Sequence, residues 1–301
     1  MDLNNINTEQ INPRSLNIDE ASTFDIIKII NKEDASIANC IEKILPDIAK
    51  AIDTIVEAFN ERGRLIYIGA GTSGRLGVLD ASECTPTFNT PPGMVIGLIA
   101  GGNKALKQAV EGKEDDENQA IEDLKHIKLS NNDILVGLSA SGRTPYVVSA
   151  LKYANSIEAK TMSIVCSNNS PIETISKYPI VVIVGPEIIA GSTRMKAATA
   201  QKMVLNMLST ASMIKTNKVF QNFMVDVQTT NKKLKERAKN IVTQTTCASG
   251  KEAEEALVKY KSAKAAIFSI LTGIKGKKVF ETLEYYNGNL KQAIKEHIKI
   301  G

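Results

Sequence analysis

From Asp34 onward the apolar residues Ile37, Cys40, Ile41, Ile44, Ile48, Ile52, Ile55, Val56 and Phe59 recur at spacings of three and four. That period predicts one amphipathic helix ending at Gly63, with Pro46 as the point where it would kink. Upstream, residues 1–33 are polar and irregular apart from an apolar cluster at Phe24 to Ile30, and read as an arm packed against something larger. Downstream the pattern changes. Leu65 to Ile68, Met94 to Ala100, Ile134 to Leu138, Thr161 to Cys166 and Ile180 to Val184 are near-continuous aliphatic runs, the signature of strands covered on both faces. Helical segments at Ala105 to Val110, Glu114 to Ile127, Pro145 to Ile157 and Ser192 to Ile214 fall between or after them. Strand and helix in repetition predict an α/β fold, a five-stranded parallel sheet flanked by helices, over residues 34–224. Beyond Met224 the strand signals stop. A lysine-rich run through Ile300, punctuated by Gly250, Gly273, Gly276 and Gly288, predicts a small helical bundle over 225–301, with Leu257, Ile267, Ile270, Leu271, Val279, Leu283, Leu290 and Ile294 as its core.

Composition narrows the chemistry. The chain has 301 residues, 43% hydrophobic and 23% charged, in the ordinary range for folded globular proteins. Met1 to Arg14 has neither a cationic start nor an apolar run, and nothing later reaches the roughly 18 apolar residues of a membrane span, so the expectation is a cytoplasmic protein with no membrane partner. Cys40, Cys84, Cys166 and Cys247 stand singly, which fits neither a disulfide framework nor a metal clamp. The net charge is +4, and the basic surplus at Lys232 to Lys239 and Lys275 to Lys278 lacks interleaved aromatics, so these read as solvated helix faces rather than a nucleic-acid surface. With only His126 and His297, neither near a plausible partner, acid–base chemistry falls to carboxylates.

Two turns after strands carry the candidate binding chemistry. In the first, Gly69, Gly71 and Gly74 permit a sharp bend, Thr72 and Ser73 supply hydroxyls, and a helix start presents free N–H groups, a favourable seat for an anion. The glycines match the dinucleotide fingerprint, but Met94 to Ala100 ends without the acidic residue that fingerprint requires, which leaves a nucleotide or another phosphate. In the second, Ser139, Ser141 and Thr144 place hydroxyls on one bend, with Gly142 for the turn and Pro145 to fix the helix start. Two such turns on one sheet point to phosphate. The stretch Gly191 to Lys196 reads as a helix start capped by Ser192, with Ser192, Thr193 and Lys196 also able to reach a sugar.

The paired turns resemble the phosphosugar-binding domains of the sugar isomerase family. Leu76 to Thr87, Glu111 to Asp116, Ser141 to Tyr146, Gly185 to Glu187, Gly191 to Lys196 and Met224 to Gln228 together resemble the N-acetylmuramic acid 6-phosphate etherases within it, a likeness running from about Leu16 to the C-terminus. Ser139 and Ala198 vary from the family pattern only in small side chains. The resemblance implies loss of the D-lactyl ether from C3 of the sugar phosphate by elimination and hydration, giving N-acetylglucosamine 6-phosphate and D-lactate, without metal or cofactor. It implies Glu83 and Glu114 as the catalytic pair, with Glu83 as proton donor and Glu114 as base, and Thr72, Ser73, Ser139, Ser141, Thr144, Ser192 and Lys196 at the substrate. The neutral surroundings of Glu83 predict a buried carboxyl of raised pKa, whereas Glu114 alone reads as charge compensation at a helix start. Arg75 and Arg143 are left to phosphate, to the lactyl carboxylate or to an acidic neighbour. Roughly 15 Å of helix would separate Ser73 from Glu83 at about 1.5 Å per residue, so either the segment bends near Gly77 and Ser82 or Glu83 serves a second subunit; with the long apolar helix at 34–62, this distance favours a homodimer with shared sites. The competing readings are a non-catalytic phosphosugar sensor acting on a partner enzyme and an aldose–ketose isomerase.

Overall fold

The computed structural model describes residues 7–227 and 232–298; Gln228 of the quoted motifs and the last residues of the C-terminal helical run lie outside them. Five aliphatic runs form β1 (Leu65–Gly69), β2 (Val95–Ile99), β3 (Ile134–Leu138), β4 (Lys160–Val165) and β5 (Tyr178–Val181). They make one parallel sheet in the order β2-β1-β3-β4-β5. Leu65, Tyr67, Val136, Met162 and Ile164 fill one side of it. Ile66, Ile68, Leu135 and Val165 fill the other, so alternate residues of each strand are apolar toward both layers. This is why the runs read as continuous.

Along the chain the helices are α1 (Thr23–Asp34), α2 (Ile37–Glu42), α3 (Leu45–Asn60), α4 (Gly71–Phe88), α5 (Gly102–Ala105), α6 (Glu117–His126), α7 (Pro145–Ser156), α8 (Pro171–Ile175) and α9 (Lys196–Lys215). The residues described within 1–82 and 93–209 form one compact unit. Its first layer buries Ile37, Ile41, Ile48 and Ile55 of α2 and α3 with Val204, Leu205 and Leu208 of α9; its second buries Ala120 and Leu124 of α6 with Val147 and Leu151 of α7. The amphipathic run from Asp34 is therefore two helices, broken at Lys43 and Ile44, with Pro46 in the first turn of α3, where its missing N–H and fixed φ suit a helix start better than an interior. The cluster at Phe24 to Ile30 is helical too, because Ser22 caps α1 by accepting the N–H of Asp25. Helix α4 spans Gly71 to Phe88 and holds Pro86 within its last turn.

A second compact unit comprises the residues described within 83–92 and 210–301. It holds the antiparallel pair β6 (Val219–Phe220) and β7 (Phe223–Met224) and the helices α10 (Lys232–Thr246), α11 (Gly250–Tyr260), α12 (Ala263–Thr272), α13 (Lys278–Tyr285) and α14 (Leu290–His297). Its core gathers Ile267, Phe268, Val279, Leu283, Leu290 and Ile294. Asp226 accepts from both Lys218 and Lys264, which ties the short hairpin to the start of α12.

Candidate active site

In an open parallel sheet, ligands sit beyond the carboxyl ends of the strands where the strand order reverses. Here that place lies between β1 and β3, since β1 is flanked by β2 on one side and β3 on the other. Gly69 and Leu138 pair in register at the ends of those strands, so the two hydroxyl turns leave the sheet side by side. Glycine makes the first turn possible. A Cβ on Gly74 would stand 2.7 Å from Gly69 O, and one on Gly69 would stand 2.8 Å from Gly74 N, so the strand end and the first turn of α4 touch backbone to backbone. Gly71, at a φ of +51°, has nothing within 4 Å where a Cβ would lie, which leaves the helix start open.

Ser73 Oγ donates to Gln201 Oε1 at 2.7 Å, and Gln201 Nε2 donates to Ile164 O at 3.4 Å. The Ile164 carbonyl can only accept, so it fixes the amide orientation and with it the direction of the Ser73 proton. Gln201 escaped the sequence reading, although it is a buried polar residue on the α9 stripe that includes Ala197, Val204 and Leu208. In the second turn, Ser139 Oγ lies 2.9 Å from Thr144 Oγ1 and accepts the N–H of Gly142 at 3.0 Å, while Ser141 Oγ accepts the N–H of Arg143 at 3.3 Å. The structure thus brings Thr72 and Ser73 of one turn beside Ser139, Ser141 and Thr144 of the other, with Ser139 buried as the brace of its own turn.

A cavity of about 200 Å³ adjoins the first turn, lined by Ala70, Gly71, Arg75, Glu111, Lys113 and Glu114 among others. Glu114 does not start a helix. It sits in a 3-10 turn, Lys113–Asp115, and Asp116 caps α6 by accepting the N–H of Gln119. The charge-compensating role read from sequence belongs to Asp116, which leaves Glu114 exposed at the cavity. The neighbouring α7 steadies that loop: Ser149 Oγ donates to Glu117 O at 2.8 Å, and the buried Tyr146 donates to Asp123 at 2.6 Å. Burial and the Asp123 carboxylate push the Tyr146 hydroxyl pKa far up, so it serves as a fixed donor.

Three expectations are corrected. Glu83 is exposed on α4, not buried. Ser192 does not cap α9, which starts at Lys196; the buried Glu187 carboxylate accepts the N–H groups of Lys196 and Ala197, each at 2.9 Å, and leaves Ser192 in the preceding turn. Lys196 is fully buried, and its Nζ donates to Glu33 at 2.7 Å rather than extending toward a sugar. Arg14 and Asn12 complete that carboxylate's partners, so the N-terminal arm is held to the loop before α9 by buried charge. Among the described residues, no three His, Cys, Asp or Glu side chains are placed to hold a metal ion. No helix among them is long and apolar enough to cross a membrane.

A five-stranded parallel sheet of this order flanked by helices is the fold of the SIS-domain class. The SIS domain model matches residues 117–211, and models of the glucokinase regulatory protein match 47–155 (N-terminal SIS domain) and 221–269 (C-terminal lid domain). The phosphoheptose isomerase of Neisseria gonorrhoeae shares the fold, with a TM-score of 0.50 at 16% identity, covering 64% of this chain and 98% of that one. N-acetylmuramic acid 6-phosphate etherases of Pasteurella multocida and Clostridium botulinum are 50% and 53% identical, over 95% and 97% of this chain and 96% and 98% of their own lengths. The chain belongs to the N-acetylmuramic acid 6-phosphate etherase family.

Proposed function

We propose that this chain removes the D-lactyl ether from C3 of N-acetylmuramic acid 6-phosphate, with Glu114 as the base and Glu83 as the acid. Family membership makes it a carbon–oxygen lyase of cell-wall amino sugar catabolism, and the sensor and isomerase readings are not favoured. The observation that carries the site is the cavity that sets Glu114 beside Gly71 at the open start of α4. The two turns supply N–H groups and hydroxyls for the phosphate. In the open-chain sugar, the C2 proton is acidified by the neighbouring aldehyde. Glu114 takes that proton, the C3–O bond breaks as Glu83 protonates the departing lactate oxygen, and an unsaturated aldehyde remains. Water then adds at C3 and a proton returns to C2. Two carboxylates in different protonation states suffice for this sequence. Turnover in heavy water is expected to give N-acetylglucosamine 6-phosphate carrying deuterium at C2 and solvent oxygen at C3. Product oxygen derived from the ether would sink the elimination route.

The working form is proposed to be a cytoplasmic homodimer with sites near the subunit interface. The stripe of α2 and α3 no longer supports it, because that stripe is buried against the chain's own sheet. Support comes instead from Ile11, Leu16, Phe24 and Ile27, large apolar residues that the arm and α1 leave more than half exposed. A soluble extract should elute the chain at twice its monomer mass. Mixing Glu83→Ala with Ser141→Ala chains should restore activity through the one intact shared site, and a mixture as dead as its parents would rule shared sites out.

A further inference from the structure

The substrate has two anions, a phosphate at C6 and the carboxylate of the lactyl ether at C3. The paired turns account for the first. They lie on the β1 and β3 ends of the sheet, whereas the cavity beside Glu114 opens on the opposite flank of β1, where its walls include Ala100, Ala105, Ala109 and Val110 from the chain that follows β2. Its mouth has two glycines, Gly71 and Gly112, with nothing within 4 Å of where a Cβ would stand. The wall is a run of alanine methyls and one valine, suited to the methyl group of a small hydroxy acid.

Charge then selects one side chain. Glu111 and Glu114 both line the cavity, so a third carboxylate can enter only against a cation. Lys113 is already committed to Asp116, at 3.0 Å. Arg75 has no carboxylate partner among the described residues: its one hydrogen bond runs from Nη2 to Gln108 O at 3.3 Å, a long contact to a neutral carbonyl. The planar fork of a guanidinium matches a carboxylate through paired N–H donors, which a lysine cannot reproduce.

We infer that Arg75 is the specificity-determining residue for the lactyl carboxylate, holding the leaving group in the Ala-lined cavity beside Glu114; this rests on the proposed etherase site. Arg75 lies one helical turn beyond Gly71, so the same helix start that receives the phosphate on one side orients the guanidinium on the other. A sugar whose lactyl carboxyl is amidated, as in a muramyl peptide, then presents a neutral group to Arg75 and is a poor substrate.

The test compares N-acetylmuramic acid 6-phosphate, its lactyl methylamide, and solvent exchange at C2 of N-acetylglucosamine 6-phosphate, which carries the phosphate but no lactyl group. Wild-type protein should favour the acid over the amide in kcat/KM by about 100-fold, the scale of a charge-assisted pair. R75M should lose that preference, falling about 100-fold on the acid while the amide and the C2 exchange change little. R75K should recover only part of the preference, and equal hydrogen-exchange protection of the sheet amides in all variants confirms that the fold is intact. A uniform loss over all three reactions would assign Arg75 to the phosphate or to folding, and no loss on the acid would remove it from recognition; either overturns the inference. The Glu114→Gln variant separates this from the underlying reading. If that variant still exchanges C2, the site assignment is wrong whatever Arg75 does, whereas a dead Glu114→Gln with an R75M that keeps the acid-over-amide preference rejects the subsite alone.

Discussion

Replacing Glu114 by glutamine is expected to lower D-lactate release by about three orders of magnitude, the middle of the range for a positioned general base. The change keeps shape and removes only the ability to accept the C2 proton. Because Glu114 lies in a short turn outside α6, with Asp116 doing the capping, the substitution disturbs no helix start, and the fold should be unaffected. The pattern of loss separates the two carboxylates. Glu114→Gln should abolish both lactate release and C2 exchange of N-acetylglucosamine 6-phosphate. Glu83→Gln should abolish lactate release, since the ether oxygen departs unprotonated at a prohibitive barrier, yet retain exchange at C2. The exposed position of Glu83 on α4 makes its substitution safe for folding as well. Release within a few-fold of wild type in Glu114→Gln would remove it as base, and loss of exchange only in Glu83→Gln would reverse the two roles.

The sheet was legible because strands covered on both faces cannot hide: Leu65 to Ile68 and Ile134 to Leu138 are apolar throughout and bounded by glycine or polar turns. The hydroxyl turns were legible for a related reason, since Gly69, Gly74 and Gly142 mark places where backbone meets backbone or φ is positive. Periodicity failed where two helices share one phase. Residues on α2 and α3 keep the same apolar stripe across the break at Ile44, and only the position of Pro46 hints that a new helix begins. Spacing also could not show that Lys196 turns inward, because its partner Glu33 is supplied by a segment far away in the chain, and burial of a lysine is decided by such a partner alone. The same limit hid Gln201, whose role is fixed by a carbonyl on β4 and a hydroxyl on α4. Glu114 shows the opposite case: its neighbours in sequence suggested a helix start, and only the 3-10 turn before α6 reassigns that work to Asp116.

Glu33 carries the largest expected effect on stability. Glu33 is 3% exposed, its carboxylate meets Arg14, Asn12 and Lys196, and Lys196 itself is wholly buried. Arg14 first, then Lys196 and Asn12, hold the Glu33 pKa near 2, below the ordinary 4.5 and against the upward push of burial. The folded pKa is depressed, so the contribution is present above the unfolded value of 4.5 and is lost as pH falls through about 2. At neutral pH it amounts to about 2–3 kcal/mol, allowing for screening at the solvent-exposed Arg14. Glu33→Ala should cost more than this, about 3–5 kcal/mol, because it strips the buried Lys196 ammonium of the carboxylate it hydrogen-bonds and leaves it only the neighbouring Glu187 charge. Lys196→Met should cost less, since Arg14 still pairs with Glu33 and the methionine fills the volume. Combining Glu33→Leu with Lys196→Met should recover part of the loss, as a buried pair replaced on both sides no longer carries its desolvation penalty. Hydrogen exchange of the β3 and β4 amides at pH 7 reads the first unit separately from the helical one. Full additivity of Glu33→Leu and Lys196→Met, each measured alone and then together, would show that Lys196 and Glu33 are not coupled. The consequence for function lies at the start of α9: the same ion pair fixes the first turn of the helix whose Gln201 orients Ser73, so a loosened Glu33 should weaken substrate binding before the sheet itself opens.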